Sequence, residues 1–184
     1  MEYVILIPLL IILLCLCVFG VFMVYMLIRT GVPFIPTHDD IISAMISAVA
    51  IGDNQKIYEL GCGNGKMMFA IKKHADGKKL KNIRITGYEL IKPLTWFVNL
   101  KKKLMKPTTN TIEIFSRDFF RSDISEAGII FCYLFPHIMQ RISCEIWPTL
   151  KSGTILVSHA FKIDDIEPIN IIKAAGTTLY VYRK

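Results

Sequence analysis

The sequence has few residues that bind metals or form disulfides. It contains five cysteines and four histidines among 184 residues. Cys15 and Cys17 lie in a long apolar stretch, while Cys62, Cys132 and Cys144 are far apart in the sequence. These spacings match neither the paired cysteines of zinc sites nor those of small disulfide-rich domains. We therefore expect reduced thiols and no metal site.

Charged side chains are absent between Glu2 and Arg29. As a helix, Val4 to Ile28 would span about 37 Å, which exceeds the roughly 30 Å of hydrocarbon in a bilayer. A cleaved signal peptide has a basic start and a shorter apolar core, whereas this stretch has an acidic residue before it and a basic residue after it. It predicts a retained transmembrane anchor over residues 1–30, in contact with membrane lipids.

Acidic residues are too few to balance the basic ones, and the net charge is +7. With Glu2 on one side of the apolar stretch and Arg29 plus many lysines on the other, the positive-inside tendency predicts an outside N-terminus. The remaining chain would then be cytosolic, or matrix-facing in a mitochondrion. Each lysine near an anionic leaflet contributes about 1 kcal/mol of attraction, so docking on a membrane explains the charge without a nucleic-acid partner. A solvated basic face explains it equally well.

After the anchor, residues 31–184 suffice for one domain with one core. Strand and helix patterns alternate, which predicts an α/β fold with a doubly wound, mostly parallel, Rossmann-like sheet. A capping signal at Thr37 and Asp40 predicts the start of the first helix of this domain. The other predicted helices cover 66–74, 93–106 and 137–147, and the predicted strands cover 57–59, 83–89, 111–115, 128–134, 155–159 and 178–182.

A glycine-rich loop follows the first of these strands. Alternate glycines let the backbone turn sharply and approach a ligand, because no Cβ intervenes. The spacing E-x-G-x-G-x-G differs from the G-x-G-x-x-G of dinucleotide-binding loops. It predicts a cradle for a nucleoside-like cofactor, and the carboxylate of Glu59 before the turn suits a cation. The full stretch is Glu59-Leu60-Gly61-Cys62-Gly63-Asn64-Gly65.

An acidic residue also ends the second predicted strand. Glu89 lies 24 positions after Gly65. In dinucleotide folds a carboxylate about 20 residues after the glycine loop accepts hydrogen bonds from ribose hydroxyls. We expect Glu89 to bind a ribose in the same way.

Together these features resemble the seven-strand methyltransferases that bind S-adenosylmethionine. The resemblance implies that the loop wraps the methionine part of this cofactor, with Glu59 near its amino group and sulfonium. It places an adenine-binding carboxylate after the third strand, where Asp118 stands, with Phe119 or Phe120 against the purine. The predicted cofactor-binding residues are Glu59, Gly61, Cys62, Gly63, Gly65, Glu89, Asp118 and Phe119.

A narrower resemblance appears when the anchor and the domain are considered together. The segment Val32-Pro33-Phe34-Ile35-Pro36-Thr37 follows the anchor, and E-L-G-C-G-N-G-K, G-Y-E-L, R-D-F-F and F-C-Y-L-F-P come later. This order resembles the membrane-anchored protein-lysine methyltransferases whose mitochondrial members modify the adenine nucleotide translocase and the ATP synthase c-subunit. Asn64 and Lys66 stand where that family often has Asp and Arg. The part after His159 is short, which indicates a trimmed final hairpin.

The end of the fourth strand is where substrates meet the methyl group in this fold. Methyltransferases of DNA, glutamine and adenine amino groups carry an Asn/Asp-Pro-Pro-aromatic motif there, and this chain has Tyr133-Leu134-Phe135-Pro136 instead. Aromatic side chains without an amide-binding group favour an aliphatic amine. The predicted substrate-pocket residues are Tyr133, Phe135 and His137. A core position, or a helix start for His137, would explain the same residues.

We therefore expect a membrane-anchored, S-adenosylmethionine-dependent methyltransferase that N-methylates lysine side chains of a membrane-associated protein. A methyltransferase for a lipid or quinone headgroup would use the anchor equally well. A non-catalytic, cofactor-binding membrane scaffold is the alternative outside the enzymes. Intact Glu59, Glu89 and Asp118 argue against such a degenerate site.

Overall fold

The computed structural model describes residues 2–30 and 35–184, so Pro33 and Phe34 of the Pro-Phe-Ile-Pro segment lie outside the described residues. The chain divides into two units, Met1–Ile35 and Pro36–Lys184. The first unit contains one helix, α1 (Glu2–Thr30). Within it, Leu6–Met26 is long and apolar enough to cross a membrane, judged by length and composition. A helix that is apolar on every side is typical of a membrane span or of a fully buried core helix.

The second unit is built on a seven-stranded sheet in the order β3-β2-β1-β4-β5-β7-β6. Strands β1 to β5 run parallel, and β6 and β7 form an antiparallel hairpin beside β5. The predicted α/β sheet is therefore confirmed. The strands are β1 (Lys56–Leu60), β2 (Arg84–Tyr88), β3 (Thr111–Phe115), β4 (Ile129–Cys132), β5 (Ile155–His159), β6 (Asn170–Ala174) and β7 (Thr177–Arg183).

Helices pack on both faces of this sheet. The helices are α2 (Asp39–Ser47), α3 (Lys66–Gly77), α4 (Lys92–Lys103) and α5 (Pro136–Arg141). The predicted single helix over 137–147 is instead α5 continued by a π-helical turn (Ile142–Ile146) and a 3₁₀ turn (Trp147–Thr149). Because side chains alternate along each strand, one buried cluster includes residues of α2 and α3 and the other includes residues of α5.

The start of α2 corrects the predicted capping signal. His38 is the N-cap, its carbonyl accepts the amide of Ile42 at 3.0 Å, and no side chain caps the helix. The carbonyl of Thr37 instead accepts a hydrogen bond from Lys66 Nζ at 3.0 Å, and Asp39 pairs with the same ammonium at 3.2 Å. Lys66 is the first residue of α3, so the chain enters the domain beside the end of the glycine loop.

The final hairpin is complete, which corrects the prediction that it is trimmed. Strands β6 and β7 are joined by Ala175 and Gly176, whose φ values of 49° and 76° are those of a tight two-residue hairpin turn. β6 was not predicted from the sequence, for two reasons. Ala-Gly is a weak turn signal, and β6 is an edge strand with no fully buried side chain to reveal an alternating pattern.

The close approach of α3 to β2 at Gly87 generates a stability prediction. A Cβ at Gly87 would lie 2.8 Å from Cys62 Sγ and closer still to Met68 Sδ. Gly87→Ala should therefore lower the free energy of unfolding of the full chain in detergent micelles by about 1–3 kcal/mol, as overpacked cores do. Gly77→Ala is the matched control, because nothing lies within 4 Å of its Cβ and alanine favours a helix. Equal denaturant midpoints for Gly87→Ala and wild type would contradict this packing.

Candidate functional site

The glycine loop lies at the carboxyl end of β1, where the sheet order reverses between β1 and β4. Ligands bind at such a switch point in open α/β sheets. Gly61, Gly63 and Gly65 all have positive φ, at 74°, 53° and 73°. Space is also restricted, because a Cβ on Gly65 would lie 2.9 Å from Val98 and one on Gly61 would lie 3.0 Å from Leu134. Backbone conformation and packing therefore both require glycine here.

Backbone hydrogen bonds fasten this loop to the end of β2. The carbonyl of Tyr88 accepts the amides of Gly61 at 3.0 Å and Cys62 at 2.9 Å. The carbonyl of Cys62 accepts the amide of Gly65 at 2.8 Å and closes the turn. The shape of the loop is therefore set by backbone hydrogen bonds to its neighbours in the fold.

Glu89 is the side chain that holds the loop. One carboxylate oxygen accepts the amide of Gly63 at 2.8 Å, and the other accepts the amide of Ile91 at 2.9 Å. The residue is buried. A carboxylate offers about four lone-pair positions, so two acceptor positions remain after these backbone contacts. The same group that fixes the loop can therefore accept two further hydrogen bonds.

Glu59 carries a buried acceptor with no partner. Its Oε2 atom is shielded from solvent and accepts no hydrogen bond from the described part of the chain. Burial raises the pKa of the Glu59 carboxyl well above its usual value, the Met68 amide lowers that pKa, and the charge of Glu89 raises it further. Buried polar atoms normally have partners, so this oxygen points to a donor supplied from outside the chain.

Cys62 has a different environment from its glycine neighbours. Its side chain is buried against Gly87, and both its amide and its carbonyl are hydrogen-bonded within the protein. Burial raises the pKa of this thiol well above its usual value, so the sulfur stays protonated. Cys62 packs the loop onto β2, and its direct contact with a cofactor stays a prediction.

Asp118 lies after β3, as the third-strand motif predicts. It begins a short 3₁₀ turn (Phe119–Arg121), and its Oδ1 accepts the amide of Phe120 at 3.0 Å. The rings of Phe119 and Phe120 lie 4.4 Å apart and are both half-buried. The guanidinium of Arg141 covers Phe120 at 3.8 Å from the ring centre. Phe119 is therefore the ring of this pair without a cation on its face among the described residues.

An aromatic cluster lies at the carboxyl ends of β4 and β5, and it consists of Tyr133, Phe135, His159 and Phe161. The Tyr133 ring is 4.0 Å from His159 and 6.2 Å from Phe161, and Phe135 is 5.5 Å from Phe161. Leu134, between the two predicted pocket residues, packs on Gly61 and joins the cluster to the glycine loop. The third predicted pocket residue, His137, is exposed at the start of α5 and makes no ring contact with the cluster in the described structure.

His159 and Phe161 are the two members that the sequence analysis missed. His159 Nε2 is 3.1 Å from Thr177 Oγ1, while Nδ1 is buried without a hydrogen-bond partner among the described residues. Burial lowers the pKa of this imidazole, which favours its neutral form. The signal for His159 was available, because β5 is the parallel neighbour of β4 and residues at adjacent carboxyl ends meet at one edge of the sheet.

Two chemistries meet at this edge of the sheet. The buried carboxyls of Glu59 and Glu89 suit a ligand with a cationic group and hydroxyls, and the aromatic cluster suits an amine. In the part of the chain that the structure describes, no group of three or more His, Cys, Asp and Glu side chains is placed to hold a metal ion.

Comparison with known proteins identifies the family. The model of the ANTKMT methyltransferase domain matches residues 59–170. A protein-lysine N-methyltransferase of Saccharolobus islandicus (strain REY15A) is 28% identical over 155 residues, which is 82% of this chain and 92% of that protein.

Solved methyltransferase structures share the fold. An RNA methyltransferase from Salinibacter ruber in complex with S-adenosyl-L-homocysteine superposes with a TM-score of 0.67 at 24% identity, covering 81% of this chain and 93% of the other. An S-adenosylmethionine-dependent methyltransferase from Geobacter sulfurreducens, also in complex with S-adenosyl-L-homocysteine, gives 0.52 at 17% identity over 67% and 49% of the two chains. The family match spans more than half of the chain and confirms the resemblance drawn from the sequence. The methyl donor is S-adenosylmethionine. This chain belongs to the ANTKMT methyltransferase domain family.

Proposed function

We propose that this protein N-methylates lysine side chains of a membrane-associated protein while held in the membrane by α1. One observation carries the proposal: a glycine loop next to a buried carboxyl with one unpartnered oxygen lies beside an aromatic cluster at one edge of the sheet. The first part suits a cationic nucleoside, and the second suits an aliphatic amine. The Saccharolobus relative named a protein-lysine N-methyltransferase supports the choice of lysine.

The residues around the loop fit S-adenosylmethionine. The unpartnered oxygen of Glu59 would face the cationic part of the cofactor, and the two open acceptor positions on Glu89 would receive ribose hydroxyls. Asp118 and Phe119 would hold the adenine. When bound, this cofactor supplies a methyl group on a positively charged sulfur, so the protein itself has only to bind, orient and desolvate.

The aromatic cluster would prepare the substrate amine. A lysine with a pKa near 10.4 is protonated at pH 7, and removing the proton costs about 4–5 kcal/mol. Burial among Tyr133, Phe135 and Phe161 favours the neutral amine, because a charge loses its hydration there. If His159 donates its Nε2 proton to Thr177, its Nδ1 becomes an acceptor for an N–H of that amine. Positioning of the two reactants would provide much of the remaining acceleration.

The membrane part of the proposal is supported by α1 and by the way the chain enters the domain. Leu6–Met26 meets the length and composition of a membrane span. Thr37 lies against Lys66, directly after the glycine loop, so the chain enters at the edge of the sheet that carries the site. With the N-terminus outside and the domain in the cytosol or matrix, lysines near the membrane surface would be the natural substrates.

A methyl-transfer experiment tests this function. Membranes of a strain lacking the protein would receive radiolabelled S-adenosylmethionine with wild type, Glu59→Ala or the control Glu167→Ala, whose glutamate is exposed in a loop. We expect label in a protein band with wild type and the control. The Glu59→Ala variant loses a charge-assisted contact of about 1.5–3 kcal/mol, so it should bind the cofactor roughly 10- to 100-fold more weakly than wild type. Label in the organic-solvent fraction would contradict the proposal and indicate a lipid or quinone substrate. No label in either fraction, with cofactor binding intact, would also contradict it and indicate a scaffold or a soluble substrate.

The raised pKa of Glu59 generates a second prediction. Burial raises the pKa of the Glu59 carboxyl well above that of an ordinary glutamate, so this carboxyl keeps its proton to a higher pH than an exposed one does. A cationic ligand beside it lowers that pKa, so binding of S-adenosylmethionine should release a proton. Calorimetry in two buffers of different ionisation enthalpy measures this release.

The release should be absent in Glu59→Gln, which cannot titrate. It should be smaller with S-adenosylhomocysteine, which lacks the sulfonium charge. Equal proton release by wild type and Glu59→Gln would show that Glu59 does not face the cation.

A further inference from the structure

The helix α4 has two apolar faces, and only one of them packs on the domain. On the inner face Thr95 and Val98 are buried, and Val98 packs closely enough on the glycine loop to exclude a Cβ at Gly65. The outer face carries Trp96, Phe97 and Leu100, and Leu104 continues it at the C-cap; we call these four residues the outer strip. A soluble surface helix normally has charged and polar residues on this side.

The outer strip is strongly exposed. Solvent reaches 67% of Trp96, 47% of Phe97, 45% of Leu100 and 83% of Leu104. Leu100 follows Trp96 by four residues and Phe97 by three, and Leu104 follows Leu100 by four, so all four lie on one side of the helix and of its C-terminal end. A contiguous exposed apolar patch of this kind typically marks a contact with a membrane or another molecule.

Lysines border the outer strip on both sides. Residues 92–106 contain five lysines and no aspartate or glutamate, and all five lysines are exposed. Their side chains can reach past the helix while their aliphatic stems cover apolar surface. The charge therefore complements an anionic surface. The lysines are Lys92, Lys101, Lys102, Lys103 and Lys106.

We propose that the outer strip and its lysines form a second membrane contact, in which α4 lies in the headgroup region of an anionic bilayer leaflet. Interfacial helices combine an apolar face containing Trp, Phe and Leu with flanking Lys, as α4 does. Tryptophan is favoured at the membrane–water interface, and lysine is attracted to anionic lipids. This proposal rests on the membrane location proposed above and extends it to the catalytic domain.

Docking through α4 would orient the candidate site. The helix begins directly after Ile91, whose amide is bound by Glu89 at 2.9 Å. The ribose-binding end of the site and the membrane contact therefore belong to one continuous segment. With α4 in the headgroup region, the edge of the sheet that carries the site would lie near the bilayer surface, which restricts substrates to amines presented there.

Lipid quenching of tryptophan fluorescence tests the contact. The chain has two tryptophans, so Trp96→Phe leaves only Trp147, which is half-buried against Tyr182 and is the internal control. The full chain would be reconstituted in vesicles with brominated acyl chains, made of phosphatidylcholine alone or mixed with phosphatidylglycerol. Interfacial helices bury their apolar face by about 5–10 Å, so wild-type emission should fall by roughly half in the anionic vesicles. Trp96→Phe should lose this quenching.

Charge removal provides the second arm. Replacing Lys101, Lys102 and Lys103 with Gln should weaken docking by roughly a hundredfold, at about fivefold per lysine, and salt at about 1 M should act in the same direction.

If wild-type Trp96 is not quenched although the protein floats with the vesicles, docking by α4 is wrong, whereas anchoring by α1 is not contradicted. If the protein does not float with the vesicles, the membrane location itself is wrong, whereas methyl transfer can still be assayed. Cross-linking between copies through the outer strip, without lipid quenching, would assign the face to self-association and overturn the proposal.

Discussion

One buried carboxylate, that of Glu89, links the parts on which the candidate site depends. It accepts the amide of Gly63 in the glycine loop and the amide of Ile91 at the start of α4. Charged acceptors form the stronger class of hydrogen bond, and this one is buried, so its two contacts fix the loop against the end of β2. Its two remaining acceptor positions are the ones that we expect ribose hydroxyls to occupy. Shaping the loop and binding the cofactor would thus be two tasks of one group.

The sheet topology explains why the candidate site residues lie together at one edge of the sheet. Residues that are far apart in the sequence, such as Glu59, Tyr133 and His159, end strands that are neighbours in the parallel sheet. The Oε2 atom of Glu59 and the Nδ1 atom of His159 lie at this edge, and neither has a hydrogen-bond partner in the described chain. Such atoms are costly in an interior, so their persistence is best explained by a ligand that satisfies them.

The sequence predicted the parts of the structure that follow from local patterns. The parallel strands, the glycine loop and the placement of Glu89 depend on apolar runs, glycine spacing and strand ends, all of which are visible in the chain. The Thr37 capping signal failed because His38, and not Thr37, takes the N-cap position and no side chain caps the helix, while a tertiary contact with Lys66 holds the Thr37 carbonyl. His159 joined the cluster because β5 pairs in parallel with β4, and the sequence analysis did not extend its predicted parallel sheet to the residues at the ends of those two strands. The outer strip of α4 was not predicted from the sequence, because only the fold shows which apolar face of the helix packs on the domain and which is exposed.

The most direct test of this account is S-adenosylhomocysteine binding by Glu89→Gln, measured together with hydrogen exchange at the Gly63 amide. A glutamine has one acceptor oxygen in place of two, so the variant loses a backbone contact and part of the ribose site. The account predicts faster exchange at Gly63 and a roughly 10- to 100-fold loss of affinity, in line with a hydrogen bond to a charged group. Wild-type affinity with a freely exchanging loop would contradict the claim that one carboxylate performs both tasks.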